Sequence, residues 1–205
     1  MRLLITGAIS WNQEQKEEIE NLGHELIYIQ DERVPLRQQG IEPESIEGTI
    51  CNGLFLYNEI REFHSLKYIQ LTSAGYDRVP LDYIKEHEIK IYNARGVYSV
   101  PMAEFAVGGV LQLYKQSRYF YSNQKKHQWK KHRGIMELDG KSVCIVGCGS
   151  VGQACAKCFS ALGCSVFGID VSLYKAEMFL QIDQLDNLNF RLRESDIVIL
   201  TVPLT

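Results

Sequence analysis

The sequence predicts an α/β protein made of two doubly wound parallel sheets, one in each half of the chain. Two observations support this class. Short apolar runs alternate with helical patterns over the first hundred residues, as they do in βαβ units. A second strand-like run then leads into the motif Gly147-x-Gly149-x-x-Gly152 and a helical pattern. With 205 residues, the chain can form one domain or two small ones.

The elements of the first half follow from short local patterns. A polar helical pattern over residues 12–23 ends at Gly23, a residue type common just after a helix. A helix is predicted over residues 58–65, and Pro80 is predicted to open another helix that runs to His87. Five strands are predicted, at residues 2–6, 25–29, 48–56, 67–73 and 89–94.

The pattern changes at Pro101. Residues 101–121 form a long helical pattern that is apolar around most of its first half, which is typical of a buried helix, and we expect it to pack between two domains. The run 125–133 that follows contains four lysines, one arginine, two histidines and Trp129. A basic stretch with an aromatic residue could bind nucleic acid. Because the whole chain is slightly acidic, we expect a solvated connector with Trp129 packed against the body instead.

Composition sets broad limits on function. A net charge of -3 gives no general electrostatic reason to bind nucleic acid. The N-terminal run MRLLITGAIS lacks the apolar core of a secretory signal, and the apolar run FAVGGVL is too short to span a bilayer. We therefore expect a cytoplasmic protein with neither a membrane nor a nucleic acid as partner.

Six cysteines raise the question of a metal or redox site, because five of them lie between residues 144 and 164. The pair Cys155-x-x-Cys158 falls inside the helix expected after the glycine motif, and no second pair completes four ligands. We expect buried, reduced thiols and no metal site.

The glycine motif has the context that a dinucleotide-binding loop requires. Gly147 ends a strand and permits a tight turn, Gly149 lets the backbone approach a pyrophosphate, and Gly152 lets the next helix pack close to the strand. Ser150 and Val151 stand at the start of that helix, where backbone N–H groups would point at the phosphates.

The strand over residues 164–170 ends in Asp170, a candidate ligand for a ribose. This residue follows Gly152 by 18 positions, close to the ~20 typical of a carboxylate that binds the ribose 2′-hydroxyl. A carboxylate there would repel a 2′-phosphate, so NAD is favoured over NADP. The alternative is a glycine-rich turn of another α/β domain in which Asp170 only ends a strand. Four features that agree in spacing favour the NAD site.

Four stretches together resemble the D-isomer-specific 2-hydroxyacid dehydrogenases, most closely the phosphoglycerate dehydrogenase-like branch. Their order and spacing are more specific than any one of them. They are LKYIQLTSAGYDRVPL from Leu66, IYNARGVYSVPMAEFAVGGVL from Ile91, ELDGKSVCIVGCGSVGQACAKCFSALGCSVFGID from Glu137 and ESDIVILTVPLT from Glu194.

The resemblance implies a flavodoxin-like substrate domain over residues 1–99 and the first half of a Rossmann NAD-binding domain over residues 100–205. It implies hydride transfer between NAD(H) and a small 2-hydroxy or 2-oxo acid held in a cleft between the domains. It also implies a homodimer that forms through the NAD-binding domain.

The resemblance also assigns residues to the two sites. Ser73, Ala74 and Gly75 would offer backbone N–H groups to the substrate carboxylate, although a simple turn before Pro80 is the alternative. The same cleft would be lined by Asn52 and Gly53. The residues implied to lie beside the cofactor are Met102, Val202 and Pro203. For Met102, the alternative is a place in a helix core.

The family's catalytic arginine, glutamate and histidine would lie beyond Thr205, so we expect no catalytic residue within the chain and a C-terminally truncated member that is inactive alone. None of the five histidines falls in a matching stretch. The alternative is a non-catalytic NAD- or acid-binding module, or a regulatory partner. With later strands absent, we expect the strand over residues 141–147 to form an unpaired sheet edge that promotes association.

Overall fold

The computed structural model describes residues 1–173 and 176–202. The chain divides into two compact units, Met1–Arg95 and Gly96–Thr205, here called unit 1 and unit 2. The sequence places the boundary between residues 99 and 100. The assignment of a substrate role to the first part and a cofactor role to the second stays a prediction.

Unit 1 is built on a five-stranded parallel sheet in the order β2-β1-β3-β4-β5. This is the flavodoxin-like order, and it confirms the predicted fold class of the first half. Two helices belong to the unit, α1 at Gln13–Asn21 and α2 at Leu81–Glu86. The strands are β1 at Arg2–Thr6, β2 at Glu25–Ile29, β3 at Gly48–Cys51, β4 at Tyr68–Leu71 and β5 at Lys90–Tyr92.

The segment between β3 and β4 differs from the prediction. The strand predicted over residues 48–56 ends at Cys51, and 3-10 turns at Leu54–Leu56 and Ile60–Glu62 stand where we predict the end of that strand and a helix. The side chain of Asn58 explains the change, since its Oδ1 accepts from Leu36 N at 2.8 Å and its Nδ2 donates to Leu54 O at 3.2 Å. Tertiary contacts of this kind outweigh local helix propensity.

Unit 2 contains a four-stranded parallel sheet in the order β8-β7-β6-β9. This order is the 3-2-1-4 half of a Rossmann sheet, and it confirms the second predicted fold. The strands are β6 at Ser142–Val146, β7 at Ser165–Ile169, β8 at Gln181–Asp183 and β9 at Ile197–Leu200. The helices are α3 at Ser99–Tyr114, α4 at Ser117–Lys125, α5 at Ser150–Ala161 and α6 at Leu188–Glu194.

The prediction that residues 141–147 form an unpaired sheet edge is wrong. Strand β6 pairs with β7 on one side and with β9 on the other, where Val143 lies opposite Ile197 and Val146 opposite Leu200. The reason is that the chain itself supplies the fourth strand. In the part of unit 2 that the structure describes, β8 and β9 form the outer strands of the sheet.

The predicted long helix also differs from the structure. It breaks at Gln116, whose φ of 53° and ψ of 38° are left-handed, so α3 and α4 are separate helices. Helix α3 packs one face against α5 and leaves the opposite face open, with Phe105 84% and Leu113 71% exposed. The prediction of a helix that is buried on all sides is therefore wrong. Trp129 is fully exposed, so its predicted packing against the body is wrong as well.

Candidate functional site

The glycine loop of unit 2 follows β6 and turns sharply at Gly147. The φ of Gly147 is 93°, a conformation that residues with a side chain rarely adopt. A Cβ there would lie 2.9 Å from the carbonyl oxygen of Thr201. The hydroxyl of Thr201 donates to Gly147 O, and its backbone N–H donates to Val146 O at 2.9 Å. The turn is thus held from the neighbouring strand.

The other two glycines meet different requirements. A Cβ on Gly152 would lie 2.1 Å from Gly147 O, so only glycine lets α5 pack this close to the loop. A Cβ on Gly149 would have no atom within 4 Å, and the φ of -67° there suits any residue. The fold itself needs glycine at positions 147 and 152. The space over Gly149 is open, as close approach of a pyrophosphate requires.

Helix α5 directs its N-terminus at this open space. Gly149 is the N-cap residue, and no side chain caps the helix. Ser150 and Val151 lie in the first turn, where backbone N–H groups have no partner within the helix. These donors and the positive end of the helix dipole favour an anion.

Asp170 lies at the end of β7, beside the glycine loop. Its Oδ2 accepts from the backbone N–H of Cys148 at 2.7 Å, and its Oδ1 accepts from Ser172 N at 3.1 Å. These two bonds fix the carboxylate on the strand next to β6, at the rim of the loop. The structure thus brings Asp170 together with the glycines that the motif predicts.

The remaining predicted cofactor residues have varied positions. Val202 follows β9, and its Cγ1 would lie 3.0 Å from a Cβ on Gly147, so it borders the loop. Met102 lies on α3 with an exposed side chain. Pro203 lies outside the described residues. The sequence reasoning missed Thr201. The only feature of the sequence that could have indicated its role is that a residue with a hydroxyl group directly follows a strand.

Four of the five cysteines of unit 2 are buried thiols with raised pKa values. Burial, with a further contribution from Asp170, raises the pKa of Cys148 to about 12, so its thiol stays protonated at neutral pH. Burial also raises the pKa values of Cys144, Cys155 and Cys164. Within residues 1–173 and 176–202, no three His, Cys, Asp or Glu side chains come together as possible metal ligands.

In unit 1, the loop after β4 presents N–H groups. The carbonyl of Ser73 accepts from Ala94 N at 2.9 Å, and the carbonyl of Ala74 accepts from Asn93 Nδ2 at 2.7 Å. The Ser73 hydroxyl donates to Gly75 O at 3.2 Å. No acceptor among the described residues binds the backbone N–H of Ala74 or Gly75. The loop therefore uses its carbonyls internally and leaves these two donors to solvent or a ligand.

Asn52 and Gly53 follow β3, and their N–H groups are already bound. Asn52 N donates to Glu32 Oε2 at 3.0 Å, and Gly53 N donates to Glu32 Oε1 at 2.5 Å. The hydroxyl of Thr6 donates to Glu32 Oε2 at 2.9 Å. The sequence reasoning missed Glu32. Its signal is an acidic residue shortly after β2, at the edge of the sheet where β1 and β3 also end.

None of the five histidine rings has a carboxylate within hydrogen-bonding distance, among the residues that the structure describes. His87 stacks on Tyr83 and contacts its carbonyl at 3.0 Å, and His132 packs on Tyr119. Arg78 of unit 1 lies 3.8 Å from Asp77 at the surface. No helix in the described ranges has both the length and the apolar character needed to cross a membrane.

Comparison with known proteins gives a consistent result. D-3-phosphoglycerate dehydrogenase of Methanocaldococcus jannaschii is 29% identical over 150 residues, which are 71% of this chain and 28% of that protein. Hydroxypyruvate reductase of Thermotoga maritima is 31% identical over 142 residues, which are 69% of this chain and 45% of that protein. The match thus spans less than half the length of either relative.

Solved structures share the fold along the whole chain. D-lactate dehydrogenase from Aquifex aeolicus, in complex with NAD and lactic acid, superposes with a TM-score of 0.79 at 23% identity, covering 100% of this chain and 61% of that one. A glyoxylate reductase from Paecilomyes thermophila superposes with a TM-score of 0.81 at 16% identity, covering 100% of this chain and 66% of that one. At these identities the likeness shows the fold.

The family match lies in unit 2, where the glycine loop and Asp170 are. Residues 107–205 match the family model described as "D-isomer specific 2-hydroxyacid dehydrogenase, NAD binding domain". The steric pattern of the three glycines fits the cofactor that this description names. Residues 107–205 are therefore similar to the NAD-binding domain of the D-isomer specific 2-hydroxyacid dehydrogenase family, and NAD is the cofactor of the matched domain.

Proposed function

We propose that the chain serves an NAD-dependent oxidoreductase reaction, hydride transfer between NAD(H) and a small 2-hydroxy or 2-oxo acid. The observation that supports it most is the open space over Gly149, in front of the uncapped N-terminus of α5 and beside Asp170. The nicotinamide, when bound, would supply the hydride acceptor or donor. The residues of this chain bind and orient it.

Each group in unit 2 has a binding role in this proposal. The backbone N–H groups of Gly149, Ser150 and Val151 bind the pyrophosphate, and the Asp170 carboxylate binds the ribose hydroxyls. The residues proposed to line the rest of the cofactor site are Met102, Val202 and Pro203.

In unit 1, the open N–H groups of Ala74 and Gly75 suit a carboxylate. We propose that the loop from Ser73 to Gly75 binds the acid, supported by its two donors without an internal acceptor. Because Glu32 occupies the N–H groups of Asn52 and Gly53, these residues line the site without binding the substrate carboxylate.

The surroundings of the histidines favour a second candidate function for the 205-residue chain tested by itself. In this function the chain is a module that binds NAD and an acid but does not catalyse a reaction. General acid/base catalysis in such a reaction is commonly carried by a histidine that a carboxylate holds in place, and none of the five histidines has a carboxylate within hydrogen-bonding distance in the described part of the chain. We expect no NADH formation from NAD and D-lactate. A rate that disappears on mutation of one of these histidines would contradict this.

Replacement of Asp170 by alanine is expected to reduce the preference for NADH over NADPH. The variant loses a ribose hydrogen bond for NADH, and it loses a charge that repels the 2′-phosphate of NADPH. Calorimetric titration of the wild type and the variant with both cofactors measures the ratio, and Asp186→Ala, an exposed site on the same unit, is the matched control. A wild type that prefers NADPH would contradict the assignment of Asp170.

We propose a homodimer formed through unit 2, supported by an apolar stripe on α3 that consists of Phe105 and Leu113. Both side chains are exposed, and their spacing of eight residues places them on one helix face. Such a stripe is typical of an association surface. A cytoplasmic location, with no membrane or nucleic acid as partner, remains a prediction.

Leu113→Glu is expected to convert dimers to monomers, because it places a charge within the stripe. Asn189→Glu adds the same charge at an exposed position of α6 and is expected to leave association unchanged. Light scattering combined with size-exclusion chromatography measures both. If the wild type is a monomer, the stripe is not an association surface.

A further inference from the structure

Glu32 fills an anion-binding arrangement of unit 1 with the chain's own carboxylate. Two consecutive backbone N–H groups, those of Asn52 and Gly53, and the hydroxyl of Thr6 all donate to it. Consecutive N–H groups that point at one carboxylate form a receptor that a ligand carboxylate would also fit. Because Glu32 occupies this receptor, a ligand must bind elsewhere on the same edge of the sheet.

A second pair of donors lies on the neighbouring strand. Strand β3 lies between β1 and β4, and Thr72 N donates to Cys51 O at 2.9 Å, so the chain after β3 runs beside the chain after β4. Neighbouring strands are ~4.8 Å apart. Asn52 follows Cys51 directly and Ala74 follows Thr72 by two residues, so both pairs of donors lie at the same edge of the sheet, after neighbouring strands. One receptor is occupied by a fixed charge, and the other is open.

The charge of Glu32 is not neutralised by a cation. Its three partners are uncharged donors, and no lysine, arginine or histidine forms an ion pair with it among the described residues. The other acids near this edge differ in that respect. Asp31 is paired with Arg33 at 2.8 Å, and Asp77 has Arg78 at 3.8 Å.

We propose that Glu32 is a specificity-determining residue that restricts the acid site to monocarboxylates with an uncharged side chain. A substrate whose carboxylate binds Ala74 and Gly75 extends its remaining atoms along the edge that Glu32 occupies. A second carboxylate or a phosphate on the substrate is repelled there, and a methyl or hydroxymethyl group is not. This inference rests on the proposed acid site and adds its substrate class.

Two acids of equal length test the inference on the 205-residue chain. 2-Oxopentanoate and 2-oxoglutarate differ only in a terminal methyl group against a terminal carboxylate. Titration followed by the amide NMR signals of Ala74 and Gly75 gives both affinities. We expect 2-oxopentanoate to bind about tenfold more tightly at low salt, and the difference to shrink as ionic strength rises.

Glu32→Gln removes the charge and keeps the shape, so it is expected to bring the two affinities to within about twofold of each other. Asp31→Asn removes a charge one residue away without touching the receptor, and it is expected to keep the tenfold preference. A wild type that binds both acids equally, or a preference that survives in Glu32→Gln, overturns the inference while the acid site stands. The wild-type comparison holds even if the variant fails to fold.

A different variant tests whether the proposed acid site itself is correct. Gly75→Val is expected to lose both acids, because a β-branched side chain would cover the donors and a Cβ would lie 2.5 Å from Asp77 Oδ1. If this variant binds both acids as the wild type does, the proposed site is wrong, and the inference about Glu32 is overturned with it.

Discussion

Replacement of Gly152 by alanine is expected to destabilise unit 2 and to abolish NADH binding. The added Cβ would lie 2.1 Å from the carbonyl oxygen of Gly147 and 3.1 Å from the hydroxyl of Thr201. Neither group can move away freely, because one belongs to the turn and the other holds it. Overpacking of this kind costs ~3 kcal/mol of unfolding free energy. Thermal denaturation measures the loss, and calorimetric titration measures the binding.

Gly149→Ala is the matched control, since it adds the same methyl group three residues away. Its Cβ would have no atom within 4 Å, so the unfolding temperature is expected to stay unchanged. NADH affinity is expected to fall about tenfold or more, because the methyl group enters the space that a pyrophosphate would use. If Gly149→Ala binds NADH as the wild type does, no pyrophosphate approaches the loop there.

Replacement of Arg191 by methionine is expected to produce the second large effect, on stability alone. Arg191 Nε lies 2.5 Å from Asp183 Oδ2, both side chains are buried, and the guanidinium packs on the ring of Phe167 at 4.2 Å. The pair joins α6 to the end of β8. Loss of the arginine leaves a buried carboxylate without its cation, which costs ~3–5 kcal/mol.

Chemical denaturation of three variants checks this interpretation. Arg193→Met changes an exposed arginine on the same helix and is expected to leave the unfolding free energy nearly unchanged. The double variant Asp183→Asn/Arg191→Met removes both charges and is expected to recover part of the loss. A loss below ~1 kcal/mol in Arg191→Met, the range of an exposed pair, would mean that the ion pair is not buried.

The sequence was sufficient to predict both sheets and the glycine loop, because these depend on local patterns. Apolar runs that alternate with helices restrict the chain to parallel sheets, and the two strand orders follow rules common to many proteins. The roles of Gly147 and Gly152 could be read from their spacing to a strand and a helix. The contact of Asp170 with Cys148 N–H refines that site, because it fixes the direction of the carboxylate.

The features that the sequence could not predict depend on contacts between residues that are distant along the chain. Glu32 meets Asn52 and Gly53 only because β1 lies between β2 and β3, and no local pattern encodes that contact. The turns around Asn58 replace a helix because a buried amide binds the backbone at Leu36. The apolar pattern of α3 predicts burial, but hydrophobicity does not tell whether this chain or another covers it.

The most direct test of the NAD site is the map of amide NMR signals that NADH changes in the 205-residue chain. We expect the largest changes at Gly149, Ser150 and Val151 and at the end of β7 around Asp170, and we expect Gly149→Ala to remove them. Changes confined to unit 1 or to α4, or no change at NADH concentrations in the millimolar range, would contradict this expectation.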